Sequence, residues 1–415
     1  MRRTVLKFGG TSVADLERIA HVADLVAARA ASGEALAVVV SAMAGETNKL
    51  VGYAHGAAGD EIGAGQFDDE YDVVVSSGEQ VTAGLLALAL RRRGHRARSW
   101  LGWQLEMRTS DAHGRARIQG FEESGLPEAV DSGEIAVIAG FQGVTDDGRI
   151  ATLGRGGSDT SAVAVAAALG ADCCDIYTDV DGVYTTDPRI VSKAQRIERI
   201  SYEEMLEMAS LGAKVLQTRS VELAMNHNVP IRVLSSFIAH NTPNPGTRVC
   251  SEDEIVEKQV VSGVAYSRDE AKVTLYGVAD KPGVSARIFA LMAAGGVNVD
   301  MIVQANARGE GVANMVFTCT DRDSQIAEET LRRHQDEIEF ERLEVERDVA
   351  KVSIIGVGMK SHTGVAETMF RALYEKGINI DVIATSEIKI SVLIEAAYTE
   401  LAVRALHTAF ELDAT

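Results

Sequence analysis

The apolar run that ends in Lys7-Phe8-Gly9-Gly10-Thr11-Ser12 is a turn suited to phosphate. Glycines at 9 and 10 let the backbone bend where a Cβ would clash, so successive N–H groups can point at one anion while Lys7 supplies a fixed positive charge. The hydroxyls of Thr11 and Ser12 add donors. Behind them, Ala14-Asp15-Leu16-Glu17-Arg18-Ile19 reads as the first turns of a helix whose positive end reinforces the attraction. A glycine pair after a strand also serves as a plain turn, and this motif alone leaves both readings open.

A second constellation, Thr152-Leu153-Gly154-Arg155-Gly156-Gly157-Ser158-Asp159-Thr160-Ser161, stands between an extended segment and an alanine-rich helix. Gly156 and Gly157 expose backbone donors, Arg155 offers a planar fork suited to a carboxylate, and Ser158 can donate to phosphate. Asp159 can orient Lys7 or a nucleophile; the competing role for Ser158 or Asp159 is to cap the helix that follows. A third, Tyr177-Thr178-Asp179-Val180-Asp181-Gly182-Val183-Tyr184-Thr185-Thr186-Asp187-Pro188-Arg189, combines ordinary turn formers with two tyrosines, hydroxyls and Arg189 that could seat a purine and its sugar.

The elements that must position these groups follow from the pattern. At 415 residues, 46% hydrophobic and 24% charged, the chain is expected to form two or three globular domains. A net charge of -19 disfavours nucleic acid and acidic membrane surfaces as partners. Cys173, Cys174, Cys250 and Cys319 have neither the density of a disulfide framework nor paired metal spacing, and no metal site is expected of the side chains. No secretory signal is read at the N-terminus and no apolar run is read as reaching membrane-spanning length, so the expected location is the cytoplasm.

Strands are expected at Thr4–Phe8, Ala35–Val40, Ile135–Ala139, Cys174–Thr178 and Ile231–Leu234, with helices at Leu16–Ala31, Glu79–Arg93, Thr160–Leu169 and Tyr202–Met208. This alternation predicts an α/β fold, a three-layer αβα sandwich on a mostly parallel sheet, with ligands at the carboxyl ends of its strands. Asn241-Thr242-Pro243-Asn244-Pro245-Gly246 breaks regular structure and marks the end of a first domain at residues 1–246, followed by an acidic linker over 247–262. Beyond it, Gly283, Val284, Phe289, Gly296, Asn298 and Asp300 recur at a spacing of 81 residues as Gly364, Val365, Phe370, Gly377, Asn379 and Asp381. Two α+β modules of βαββ type are expected, over 263–345 and 346–415. Gly356-Val357-Gly358 imitates a dinucleotide fingerprint, but too few residues follow for a nucleotide-binding half, and the repeat explains these glycines as turns.

Lys-Phe-Gly-Gly-Thr-Ser at 7–12, Ser-Ser-Gly-Glu at 76–79, Gly-Arg-Gly-Gly-Ser-Asp at 154–159 and Thr-Asp-Val-Asp-Gly-Val-Tyr-Thr-Thr-Asp-Pro-Arg at 178–189 together resemble the aspartate kinases over essentially the whole chain. The resemblance implies an amino-acid-kinase domain followed by two ACT modules. It also implies transfer of a phosphoryl group from ATP, with Mg²⁺ carried mainly on the nucleotide, to the side-chain carboxylate of L-aspartate, the first step toward lysine, threonine and methionine. By position, Lys7 would hold the transferring phosphoryl group and Asp159 would organise the lysines. Phe8, Gly9, Gly10, Thr178, Asp179, Tyr184, Asp187, Arg189 and Lys214 would meet ATP. Ser41, Thr47, Gly156, Gly157 and Ser158 would line the substrate, with Glu79 on the ammonium of aspartate and Arg155 on its α-carboxylate.

In the tail the resemblance implies binding of lysine, threonine or both as effectors where modules pair. The candidates are Asp280, Gly283, Val284, Asn298, Val299, Asp300 and Gln304 in the first copy and Ser361, Gly364, Asn379 and Ile380 in the second; read without the resemblance, each glycine and asparagine is a turn. A homo-oligomer is implied, and some relatives add a shorter regulatory subunit from an internal start. Two rival readings are a kinase for glutamate or acetylglutamate and a catalytically silent amino-acid sensor.

Overall fold

The computed structural model describes residues 1–413 apart from 60, 61, 63–66, 123, 213, 214, 240, 256–258 and 307–310. The described residues divide into two units, one of Met1–Val183, Arg196–Ala209 and 215–255, the other of Tyr184–Gln195, 210–212 and 259–413.

The first unit runs β1 (Arg3–Phe8), α1 (Leu16–Ala31), β2 (Ala35–Val40), α2 (Glu46–Ala58), α3 (Asp68–Arg92), β3 (Ala97–Trp100), β4 (Met107–Thr109), β5 (Ile118–Phe121) and α4 (Leu126–Asp131). It continues with β6 (Ile135–Ala139), β7 (Gln142–Val144), β8 (Ile150–Thr152), α5 (Gly157–Ala168), β9 (Cys173–Thr178), β10 (Arg199–Ser201), α6 (Tyr202–Ser210), α7 (Thr218–His227), β11 (Ile231–Ser235) and β12 (Thr247–Cys250). Eight strands form one sheet in the order β10-β12-β11-β9-β1-β2-β6-β3, parallel except where β12 meets β11. β2 is buried at every position, as a strand covered on both faces must be. The alternation of β1 sends Leu6 and Phe8 into the core shared with α1 and α3. Lys7 is thereby turned to the opposite face, where α5 lies across β1, β2 and β9. All four cysteines are free and buried, and burial pushes the Cys173 thiol up to about 12.

Several sequence expectations change. The small sheet β5-β4-β7-β8 and helices α2 and α7 were not anticipated; α2 carries Gly52 and Gly56 and buries only Ala54, so it lacks a helical apolar stripe. α3 starts at Asp68 rather than Glu79 and is long and apolar enough to cross a membrane, contrary to the reading of the apolar runs. It packs in the core of the first unit and buries Asp72 and Glu79. The first domain does not stop at Gly246, because Thr247–Cys250 joins the sheet as β12. Tyr184–Gln195, placed by sequence in the first domain, packs in the second unit, with Val191 in the core of Val352 and Met369.

The second unit contains β13 (Gly263–Ala279), α8 (Val284–Ala294), β14 (Val303–Asn306), β15 (Val312–Cys319), α9 (Asp321–Arg333), α10 (Gln335–Ile338), β16 (Arg342–Ile355), α11 (Val365–Glu375), β17 (Val382–Thr385), β18 (Lys389–Glu395) and α12 (Thr399–Ala409). Its six strands form one antiparallel sheet in the order β14-β15-β13-β16-β18-β17. The repeat is visible in the backbone: Gly283 and Gly364 precede α8 and α11 at φ 96° and 87°, and Gly296 and Gly377 follow them at 71° and 69°.

The modules are nested rather than consecutive. Gly263–Ser267 of β13 pair with Lys351–Ile355 of β16 in the second module, while Lys272–Tyr276 pair with Arg342–Glu346 in the first. A boundary between residues 345 and 346 therefore cuts one continuous strand. Ion pairs cross between the modules in both directions: Lys351 meets Asp300 at 2.6 Å, and Lys272 meets Asp381 at 3.6 Å. Gly356 and Gly358 are close-approach positions, since a Cβ there would come within 2.4 Å of the Val260 carbonyl oxygen and 2.5 Å of that of Gln259.

Candidate active site

The residues able to do chemistry in the first unit gather at the carboxyl ends of β1, β2, β6 and β9. Lys7 Nζ lies 2.6 Å from Asp159 Oδ1, joining the end of β1 to the first turn of α5, and both side chains are nearly buried. Asp159 is therefore no helix cap; the cap of α5 is Gly156, in a left-handed conformation and with no side-chain hydrogen bond. The turn after β1 is shaped as a cradle. A Cβ on Gly9 would stand 3.3 Å from Lys7 Nζ, and one on Gly10 would stand 3.0 Å from the Ala42 carbonyl oxygen. The absence of side chains at both positions thus leaves the fixed cation uncrowded.

Two details of that turn differ from the sequence reading. Ser12 is fully buried and donates to Ser236 Oγ at 2.7 Å, so it braces the turn instead of facing a ligand. The N-terminus of α1 is capped by the Asp15 carboxylate, which accepts from the Arg18 N–H.

Glu79 sits on the buried side of α3. One carboxylate oxygen accepts the Ala42 N–H at 2.9 Å, and the other is buried without a hydrogen-bond partner. Burial pushes this carboxyl up to about 7 against the pull of the Ala42 N–H. A buried carboxylate with an open oxygen attracts a compact cation such as an ammonium group. Ser41 directly follows β2, one residue before Ala42, and Thr47 lies in the first turn of α2.

Arg155 is exposed and has no hydrogen bond or ion pair among the described residues, so its fork is free for a carboxylate. The loop carrying it is sterically determined. Gly156 has φ 70°, and a Cβ there would fall 2.1 Å from Gln217 Cγ; one on Gly157 would fall 2.7 Å from Phe141 Cδ2. Ser158 is buried beside Gly140, where a Cβ would come within 3.0 Å of its hydroxyl.

Of the nucleotide candidates, Phe8 is fully buried in the core shared with α1 and α3 and stacks on Tyr177 at a ring separation of 4.6 Å, so its side chain does not face a ligand. Thr178 and Asp179 close β9, with Thr178 donating to the Asp179 carboxylate at 3.1 Å. Tyr184, Asp187 and Arg189 belong to the second unit, where Arg189 pairs with Asp187 at 2.8 Å. Lys214 lies outside the described residues. Sequence reasoning missed the Ala42 N–H, Gly140 and Phe141, a non-glycine residue at φ 70° two residues past the end of β6. The string Ala139-Gly140-Phe141-Gln142-Gly143 at a strand end was the available signal. A cavity of about 910 Å³ lined by Phe121, Leu126, Ala164 and Leu223 lies elsewhere in the unit and contains none of these groups.

Among the effector candidates, Gln304 links Asp280 and Ser285 by bonds of 3.4 and 3.3 Å at the start of α8. Val284 lies in the first turn there and Val299 forms an isolated bridge to Cys319. Asp300, by contrast, is engaged by Lys351. In the second module Ser361 bonds to the Gly358 carbonyl oxygen, Asn379 reaches Asp381, and Ile380 packs on the core.

With this geometry in place, comparison with known proteins is decisive. A family model for the amino acid kinase family matches residues 2–235, and an aspartate kinase of Pseudomonas fluorescens (strain SBW25) is 52% identical over 415 residues, spanning 100% of this chain and 98% of that one. The chain belongs to the aspartate kinase family. It is an ATP-dependent phosphotransferase with a carboxyl group as acceptor. An aspartokinase of Corynebacterium glutamicum is 44% identical over 99% of this chain and 97% of its own. E. coli aspartokinase III in complex with aspartate and ADP, in the R-state, superposes with a TM-score of 0.77 at 29% identity, covering 98% of this chain and 99% of that one. The same enzyme in complex with lysine and aspartate, in the T-state, gives 0.75 at 30% identity over 98% and 99%. ACT-domain models match residues 272–339 and 352–410, the first beginning inside β13 and the second inside β16, the two strands that the modules share.

Proposed function

We propose that the chain transfers the γ-phosphoryl group of ATP to the side-chain carboxylate of L-aspartate, releasing ADP and 4-phospho-L-aspartate. The observation that carries this reading is Glu79, buried, bound through one oxygen and open at the other, in the same strand-end cluster as the Lys7–Asp159 pair. Glu79 and the free Arg155 supply complementary charges for the ammonium and α-carboxylate of an amino acid, which leaves its side-chain carboxylate to face Lys7. Acetylglutamate has no ammonium, and its amide would leave the Glu79 carboxylate buried without a counterion.

The acceptor is already an anion at neutral pH, so no general base is needed. One carboxylate oxygen forms a bond to the γ-phosphorus as the bond to ADP breaks, and the electron pair leaves on the ADP oxygen. Lys7, held by Asp159, offsets the repulsion between two anions and stabilises the oxygens of the transition state, with the Gly10 N–H beside it; the Gly9 N–H donates instead to the Tyr177 carbonyl oxygen at 3.4 Å. Mg²⁺ carried on the nucleotide phosphates supplies further charge neutralisation. Fixing the amino-acid head between Glu79 and Arg155 aligns the acceptor. Thr178 and Asp179 support the nucleotide; Tyr184, Asp187, Arg189 and Lys214 are assigned to it on family resemblance.

The second unit is proposed to bind lysine, threonine or both as inhibitors, with Asp280, Gln304 and the start of α8 meeting a zwitterion and module pairing producing a homo-oligomer. Coupled ADP release with L-aspartate, L-glutamate and acetylglutamate tests the first claim: turnover with aspartate alone supports it, and equal turnover with acetylglutamate overturns it. Initial rates titrated with lysine and threonine, alone and mixed, test the second.

A further inference from the structure

We propose that Asp72 is a positioning residue for the amino-acid substrate, because it fixes the separation between Glu79 and the loop that carries Arg155. Asp72 and Glu79 share one face of α3, two turns or about 10 Å apart, and Asp72 is completely buried. Its carboxylate accepts the Thr152 hydroxyl at 2.5 Å, the Thr152 N–H at 2.8 Å, the Gly114 N–H at 3.0 Å and His113 Nδ1 at 2.9 Å. Thr152 ends β8, three residues before Arg155. Gly114 presses on the same loop, since a Cβ on Gly154 would lie 3.0 Å from the Gly114 carbonyl oxygen. From the other side Arg219 of α7 donates to the carbonyl oxygens of Leu153 and Ala116, both at 2.8 Å.

One helix therefore carries the ammonium-binding carboxylate and, two turns earlier, the anchor of the loop that binds the α-carboxylate. The distance between the two head-group contacts is set by a rigid helix and a buried hydrogen-bond node. Among the described residues this buried acid has four donors and pairs with no lysine or arginine, and it makes no hydrogen bond to the cradle at Lys7, so it serves orientation.

This inference rests on the assignment of Glu79 and Arg155 to the amino-acid head. The test is steady-state kinetics with thermal melting on full-length Asp72→Asn, His113→Ala, His113→Gln, Glu79→Gln and Arg155→Lys. Asp72→Asn is expected to raise KM for aspartate at least about tenfold, as a small misplacement of a reacting group can, with KM for ATP within twofold of wild type. His113→Ala is expected to give a smaller increase of the same kind, and His113→Gln, which restores an N–H donor, to reverse much of it. A folded Asp72→Asn enzyme with unchanged KM for aspartate overturns the proposal, as does a proportional rise in both KM values. If Asp72→Asn does not fold, the His113 pair decides: an aspartate-selective effect rescued by Gln supports the proposal, and a flat response overturns it. Unchanged KM for aspartate in Glu79→Gln and Arg155→Lys would instead remove the head-group assignment itself.

Discussion

Lys7 and Glu79 are two charged residues buried for opposite reasons. Lys7 has its counterion in Asp159, whereas Glu79 keeps one oxygen open and is pushed up to about 7 by burial. Lys7→Ala is expected to lower kcat by at least about 10²-fold, the loss typical of one transition-state donor, with far-UV circular dichroism unchanged. Near-normal turnover would contradict the role given to it. Glu79 binds an ammonium only when ionised, so below about pH 7 a proton competes with aspartate. KM for aspartate should therefore fall as pH rises through about 7 and then level, and Glu79→Gln should raise KM and flatten the profile. Because the folded value lies above the ordinary carboxyl value of 4.5, the same shift makes the ligand-free fold lose stability as pH rises from roughly 4.5 to 7, a trend that melting curves would follow. Lys7 was legible from its own motif, a lysine beside a glycine turn at a strand end, whereas Glu79 was singled out only through the family resemblance of Ser76-Ser77-Gly78-Glu79. The Ala42 N–H that orients Glu79 was not legible, since a backbone donor leaves no mark in the side-chain alphabet.

At the scale of elements, β2 and β6 were readable because strands buried on both faces are unbroken apolar runs of characteristic length, and β1 and β9 because their short β-branched and apolar cores are broken only by single charges, Lys7 and Asp175. The first turns of α3 were not readable: Asp68, Asp69, Glu70 and Asp72 look like a solvated segment, yet they suit the positive end of a helix and Asp72 is buried by its node. The Arg155 loop gives a sharp test, since Gly156 has φ 70° and its missing Cβ leaves room for Gln217. Gly156→Ala is expected to cost about 1–2 kcal/mol from the left-handed backbone alone, read as a lowered melting temperature. It should also raise KM for aspartate by moving Arg155; unchanged stability and KM would contradict the loop geometry.

The whole molecule shows where sequence reading stops. The repeat announced two modules, and the matched glycines keep the same backbone roles in both copies. Their nesting through the shared strands β13 and β16 was hidden, because pairing between residues 263–267 and 351–355 is a long-range fact with no local signature. Lys351 shows what nesting adds: its ammonium meets Glu270 at 2.7 Å and Asp300 at 2.6 Å, with Lys351 and Glu270 nearly buried. Lys351→Met should destabilise the second unit by about 3 kcal/mol, the usual loss on stripping a buried charge of its partner. Burial raises the Glu270 carboxyl, so the deficit should shrink on acidification as that carboxyl takes a proton; equal melting temperatures for mutant and wild type would contradict the clasp. The central claim, that the cluster around Lys7 and Glu79 delivers the side-chain carboxylate of aspartate to ATP, is tested most directly by isotope transfer. Aspartate labelled with ¹⁸O only in its side-chain carboxylate is turned over with ATP, the acyl phosphate is cleaved with hydroxylamine, and the released phosphate is weighed by mass spectrometry. One ¹⁸O atom in that phosphate is the predicted result; unlabelled phosphate, or label arriving only from aspartate labelled in the α-carboxylate, would contradict the account.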